Sequence, residues 1–266
     1  MMEAAFFDLD KTIIARSSPL ALGRSFYKEG LIGRSFFLKS LYAQLVFLLM
    51  GADEEKMDRM RAEAAKLTAG WEQAKVKQVV SEVLEEVISP LIYAEALELI
   101  HDHRSASRLI CIISSSPEEI VEPLARMLRV DRYIASRPEV VDGHYTGELT
   151  FYAYGPYKAE AIKALAEELD LDLSASFAYT DSMTDLPMLE SVGHPVVVNP
   201  DRALRQLASE REWIVETFKN PVSLRSRLPQ IRAPELNRPQ RNTAVAGVLL
   251  LAALVWWASR RGNRID

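Results

Sequence analysis

Ala4-Ala5-Phe6-Phe7-Asp8-Leu9-Asp10-Lys11-Thr12 decides how this 266-residue chain is read: four apolar residues, then two carboxylates two positions apart. A short apolar run without alternation marks a strand buried on both faces, and this one ends in polar residues at a loop. Residues two apart on an extended chain point the same way. Two carboxylates that close do not both stay ionised without a cation, unless one keeps its proton at a raised pKa. Either condition is chemically useful. A hard cation such as Mg2+ takes carboxylate oxygens, and a protonated carboxyl serves as a general acid. The plainer reading makes both aspartates turn residues.

Outward from this strand, residues 15–104 read as helical almost throughout. Residues 36–50 (FFLKSLYAQLVFLLM) are strongly apolar, and 54–66 and 71–88 keep helical spacing with abundant Glu, Lys and Ala. Beyond residue 105 the pattern alternates. Strands are expected at 109–113, 177–180 and 195–198, and helices at 117–128, 158–169 and 185–191. The Asp142-Gly143 pair between β-prone residues predicts a hairpin at 140–145. The fold class that follows is α/β, a Rossmann-like, mostly parallel sheet with helices on both faces. Residues 1–14 and 105–218 are expected to form the core, with 15–104 inserted as a helical cap domain.

In such sheets ligands bind beyond the carboxyl ends of the strands. Three strands place polar residues there: Asp8 and Asp10 after the first, Ser114 after the second, Asp181 and Asp185 after the third. Lys158 opens the intervening helix. The convergence of acidic, hydroxyl and ammonium groups is what points to chemistry. Asp185 also reads as a helix N-cap.

Cys111 is the single cysteine, which excludes a disulfide framework and a cysteine-rich metal site. It sits in an apolar run and reads as core packing. His101 and His103 read as a solvated face. The net charge of −5 hides an asymmetry: residues 219–266 hold nine Lys/Arg and two Asp/Glu, or +7, leaving −12 for residues 1–218. Residues 219–242 read as a Pro/Arg-rich linker. Within 243–259, the stretch AVAGVLLLAALVWWA carries no charge and ends in two tryptophans before three arginines. This predicts a transmembrane helix, single-pass, contacting membrane lipid, with the catalytic body in the cytoplasm and no nucleic-acid partner. A buried soluble helix is the alternative.

Phe7-Asp8-Leu9-Asp10-Lys11-Thr12 resembles the first motif of the haloacid dehalogenase-like (HAD) phosphatase superfamily, Asp-x-Asp-x-Thr. Ile112-Ile113-Ser114 is similar to its second motif, Lys158 to its third, and Tyr179-Thr180-Asp181-Ser182-Met183-Thr184-Asp185 to its fourth. The inserted helical cap resembles that of subfamily IB, which contains phosphoserine phosphatase. The resemblance implies that Asp8 is a nucleophile forming an aspartyl-phosphate and that Asp10 is the acid and base. It implies phosphate binding by Ser114 and Lys158, and Mg2+ held by Asp8, the Asp10 main-chain carbonyl and Asp181, with Asp185 in support.

Two departures bear on the substrate. The phosphoserine enzymes carry a glutamate nine residues after the nucleophile, where this chain has Ser17, and Ser114-Ser115-Ser116 replaces their Ser-Gly-Gly. The substrate expected is a small phosphorylated metabolite or a phosphorylated lipid-like molecule, with Arg59 or Arg61 of the cap as candidate anion contacts. The alternative function is a non-hydrolytic Mg2+-binding phosphoacceptor tethered to the membrane.

Overall fold

Ala4–Phe7 forms strand β1 in the middle of a seven-stranded sheet in the computed structural model, which describes residues 2–31, 66 and 68–221. The other strands are β2 (Leu109–Pro117), β3 (Arg132–Val141), β4 (His144–Phe151), β5 (Phe177–Thr180), β6 (His194–Val198) and β7 (Ile214–Glu216). Their order is β4-β3-β2-β1-β5-β6-β7. Every neighbouring pair is parallel except β3–β4, the hairpin expected from Asp142-Gly143. Both turn residues take positive φ, 50° and 78°, as a two-residue hairpin loop of this hand requires.

Strict alternation along β1 and β2 sends neighbouring side chains to opposite faces. Ala5, Phe7, Ile110 and Ile112 enter one buried cluster; Ala4, Phe6, Leu109, Cys111 and Ile113 enter the other. The first cluster is covered by α1 (Ser18–Lys28), α2 (Gln73–Val83), α3 (Ala94–Ser105) and α4 (Glu118–Leu128). The second is covered by α5 (Pro156–Leu169), α6 (Leu186–Glu190) and α7 (Arg202–Glu210). Helices therefore lie on both faces, and Cys111 is core, as expected. Residues 202–216, which add α7 and β7, carry structure that the sequence reading did not find.

Helix α3 lies on the sheet. Ile92, Ala96 and Ile100 share the cluster of Phe7 and Ile112, so residues allotted to the inserted block from about 92 onward pack with the catalytic layer. One antiparallel bridge, Ile14 with Ile92, joins the block to the core, flanked by Tyr93 N donating to Ile13 O and Ala15 N to Leu91 O. Residues 219–221 lie alongside. Glu95 accepts from the Lys219 and Asn220 amides, and Ala94 N donates to Asn220 O. The linker is thus pinned at its first residues. The expectations for residues 36–50, for Arg59 and Arg61, for the rest of the linker and for the transmembrane helix at 243–259 fall outside the described residues. Among those described, no helix is long and apolar enough to cross a membrane.

His103, expected on a solvated face, is instead 4% exposed beneath the sheet. The Arg108 guanidinium donates toward its Nδ1 at 3.4 Å, which leaves Nε2 to donate to the Tyr179 hydroxyl oxygen at 2.7 Å. Burial and, second, Arg108 push its pKa down to about 4. A folded-state pKa below the unfolded value means that the unfolded chain takes the proton first. Stability linked to His103 is therefore full above pH about 6.5 and is lost as pH falls toward 4. Urea unfolding of the wild type and His103→Gln at pH 7 and pH 5 checks this. The wild type should lose more stability over that interval; equal losses would remove His103 from the account.

Candidate active site

The parallel register of β2, β1 and β5 brings their carboxyl ends to one edge. Asp8 directly follows β1 and is still tied to β5, its amide donating to Tyr179 O at 2.9 Å. The chain then wraps tightly. The amides of Thr12, Ile13 and Ile14 all point to Leu9 O, and Lys11 takes φ +65°. The turn closes residues 9–14. The two aspartates have separate partners.

Asp8 Oδ1 accepts from Lys158 Nζ at 2.6 Å, and the same ammonium donates to Asp185 Oδ2 at 2.7 Å. All three residues are at most 6% exposed. Lys158 reaches this place because α5 begins at Gly155-Pro156, with Gly155 at φ +54° and Pro156 at a first-turn position that needs no amide. Asp185 occupies the N-cap position of α6, yet its carboxylate makes no cap hydrogen bond. It accepts instead from Lys158 and from Thr180 Oγ1 at 2.8 Å. The N-cap reading of Asp185 therefore gives the position but not the job. Asp181 lies 3.5 Å from the exposed Lys11 ammonium.

Asp10 stands apart with both oxygens engaged. Oδ1 accepts from the Ser18 amide at 2.5 Å, and Oδ2 from Ser116 Oγ at 2.8 Å. Ser114, 1% exposed, meets this group only indirectly, its Oγ accepting from the Ser116 amide at 3.1 Å.

The electrostatics follow from burial. Asp8 is pushed up to about 8, first by desolvation, with Asp185 and Asp181 adding and Lys158 opposing. Asp181 is raised to about 6 by burial, against the pull of Lys11. Asp10 is raised by burial, while the bonds from Ser18 and Ser116 work the other way. Burial disfavours the Lys158 ammonium, but Asp185 and Asp8 outweigh it and hold the lysine charged. Repulsion at Asp8 thus comes from the end of β5, not from Asp10.

Two carboxylates, Asp8 and Asp185, share one buried ammonium, and Asp10 and Asp181 add two more at the same edge, an all-oxygen setting rich in acidic groups. That is the donor chemistry of a hard dication, whose charge would offset the burial and carboxylate repulsion that hold Asp8 and Asp181 high. Among the described residues no three Asp, Glu, His or Cys side chains form a ready cage. Sequence reasoning missed Ser18, Ser116 and Thr180. Ser116 sits two residues past Ser114 on the same strand, so the period of two was the signal available.

A family model described as haloacid dehalogenase-like hydrolase matches residues 5–190. An inhibition of morphological differentiation protein of Streptomyces azureus is 49% identical over 97% of this chain and 94% of its own length. A probable phosphatase of Mycobacterium tuberculosis is 50% identical over 94% and 86%. A phosphoserine phosphatase of the same species is 36% identical over 81% and 71%. Among solved structures, a Bordetella pertussis protein of unknown function superposes with a TM-score of 0.71 at 25% identity, over 81% of this chain and 98% of that one.

Proposed function

The chain belongs to the haloacid dehalogenase-like hydrolase family, and from that premise we propose that it is a Mg2+-dependent phosphatase using an aspartyl-phosphate on Asp8. The observation that carries the reading is the division of labour at one sheet edge. Lys158 bridges Asp8 and Asp185, while Asp10 is held separately by Ser18 and Ser116. Its nucleophile and its acid are kept apart.

In the first step a carboxylate oxygen of Asp8 attacks phosphorus, and the bond to the ester oxygen breaks in line. Asp10, disposed by burial to hold its proton, gives it to the departing oxygen. In the second, Asp10 takes a proton from water as that water attacks phosphorus, and the Asp8–phosphorus bond breaks. Lys158 fixes the Asp8 carboxylate and meets charge gathering on the phosphoryl oxygens, with the Ser114 hydroxyl as a further donor. Bound Mg2+ would supply the remaining positive charge, held by the Asp8 and Asp181 carboxylates and the Asp10 main-chain carbonyl, with Asp185 supporting through Lys158.

A small phosphorylated metabolite is the substrate class we infer. A relative named phosphoserine phosphatase supports it, while Ser17 puts no carboxylate where a substrate ammonium would be met. A phosphorylated lipid-like ester is the second class, supported by the uncharged segment at 243–259 and the arginines around it. Extraction of the full chain from membranes by salt alone would count against that class and against a membrane-apposed cytoplasmic body. Phosphate release from a panel of phosphomonoesters tests the main proposal. Turnover is expected with Mg2+ and should fall by about a hundredfold or more on chelation. A stable acyl-phosphate without turnover would favour the phosphoacceptor reading instead.

A further inference from the structure

We propose that Ser116, braced by Ser18, is the positioning residue that aims the Asp10 carboxyl, a claim that rests on the phosphatase reading above. Three chain segments meet at this carboxyl: the loop after β1, the first residue of α1, and the end of β2. Ser116 Oγ donates to Asp10 Oδ2 at 2.8 Å, the Ser18 amide donates to Oδ1 at 2.5 Å, and the two serine hydroxyls lie 2.9 Å apart. Ser18 is fully buried and Ser116 3% exposed, so water does not substitute for either hydroxyl.

A carboxyl bonded through both oxygens to two different segments cannot swing about its own axis. Catalytic geometry is held by such supporting bonds to within about 10–20°. With the Ser18 amide alone, one bond remains and the plane of the carboxyl is free to turn. Each carboxyl oxygen offers two acceptor sites. The bonds from Ser116 and the Ser18 amide use one on each oxygen and leave the others facing away from the serines, free for exchange with substrate, an arrangement that glycine or alanine at position 116 would not provide.

The test separates aim from fold through the leaving group. An aryl ester such as p-nitrophenyl phosphate releases a stable anion and needs little help from an acid; an alkyl phosphate needs much. With the full chain and Mg2+, kcat/KM is measured for p-nitrophenyl phosphate and for an alkyl phosphate that the wild type hydrolyses. Ser116→Ala should lower the alkyl value by about 10- to 100-fold and the aryl value by less than about threefold, since a general acid contributes about 10²–10⁴. Ser116→Thr, which keeps the hydroxyl, should recover most of the alkyl loss. Equal losses on both esters in Ser116→Ala would overturn the inference and leave the phosphatase reading standing. A wild type that turns over no phosphomonoester, aryl or alkyl, would overturn both.

Discussion

Asp8→Asn is expected to lower kcat by at least about four orders of magnitude, the scale seen when a covalent nucleophile is removed. The amide keeps the shape of the carboxylate and an oxygen for Lys158, so the site should stay assembled. What it lacks is an anionic oxygen able to attack phosphorus. Stability should move the opposite way. Asp8 is 6% exposed, and desolvation with two neighbouring carboxylates pushes it up to about 8. A neutral group of the same shape relieves that burial. In chelator, the variant should therefore melt at the wild-type temperature or above it. Loss of activity with unchanged melting would mark a chemical role, whereas residual activity within about tenfold of wild type would remove Asp8 as nucleophile. Acid-quenched protein should carry trapped phosphate in the wild type and none in the variant.

Particular residues show how much of this was legible in the sequence. The β1 strand, Phe177–Thr180 and the β3–β4 turn were readable because their signals are local: unbroken apolar runs, and Asp142-Gly143 with positive φ at both positions. That Asp8, Asp10, Ser114, Asp181 and Asp185 follow strands ending at one edge was legible because a parallel sheet brings strand ends together without any contact being known, whereas Lys158 comes in on α5. Contacts beyond the strand ends were not. Spacing sets Asp8 and Asp10 two apart, but it does not report that Lys158 bonds the one while Ser18 and Ser116 bond the other. Helical periodicity read 15–104 as helical almost throughout but is silent on which layer a helix joins. His103 therefore looked solvated when its face packs on Tyr179. Residues 202–216 were passed over because α7 is short and mostly polar, with only Leu204 and Ala208 buried. Ser116 was read only as a missing glycine, since its value lies in what it touches.

Lys158→Met should produce the largest combined loss. The ammonium is 2% exposed and sits between Asp8 and Asp185 at 2.6 and 2.7 Å, so its removal strands two buried carboxylates. Breaking a buried pair on one side costs about 3–5 kcal/mol, because the charge left behind has neither water nor partner. The penalty should depend on pH with a definite sign. Asp8 is already held above its unfolded pKa with Lys158 opposing, so without the ammonium the native state binds its proton more tightly and stability falls as pH rises. Urea unfolding in chelator should thus show a deficit larger at pH 8 than at pH 5. Activity should fall by about 10²–10³, the scale for losing one group aimed at developing charge. Adding Asp185→Asn to Lys158→Met removes one stranded charge. It should return part of the stability and none of the activity, because Asp8 still lacks its cation. That asymmetry decides what the lysine is for. Were it a structural tie, stability and turnover would recover together in the double variant; if it serves the phosphoryl group, only the fold recovers.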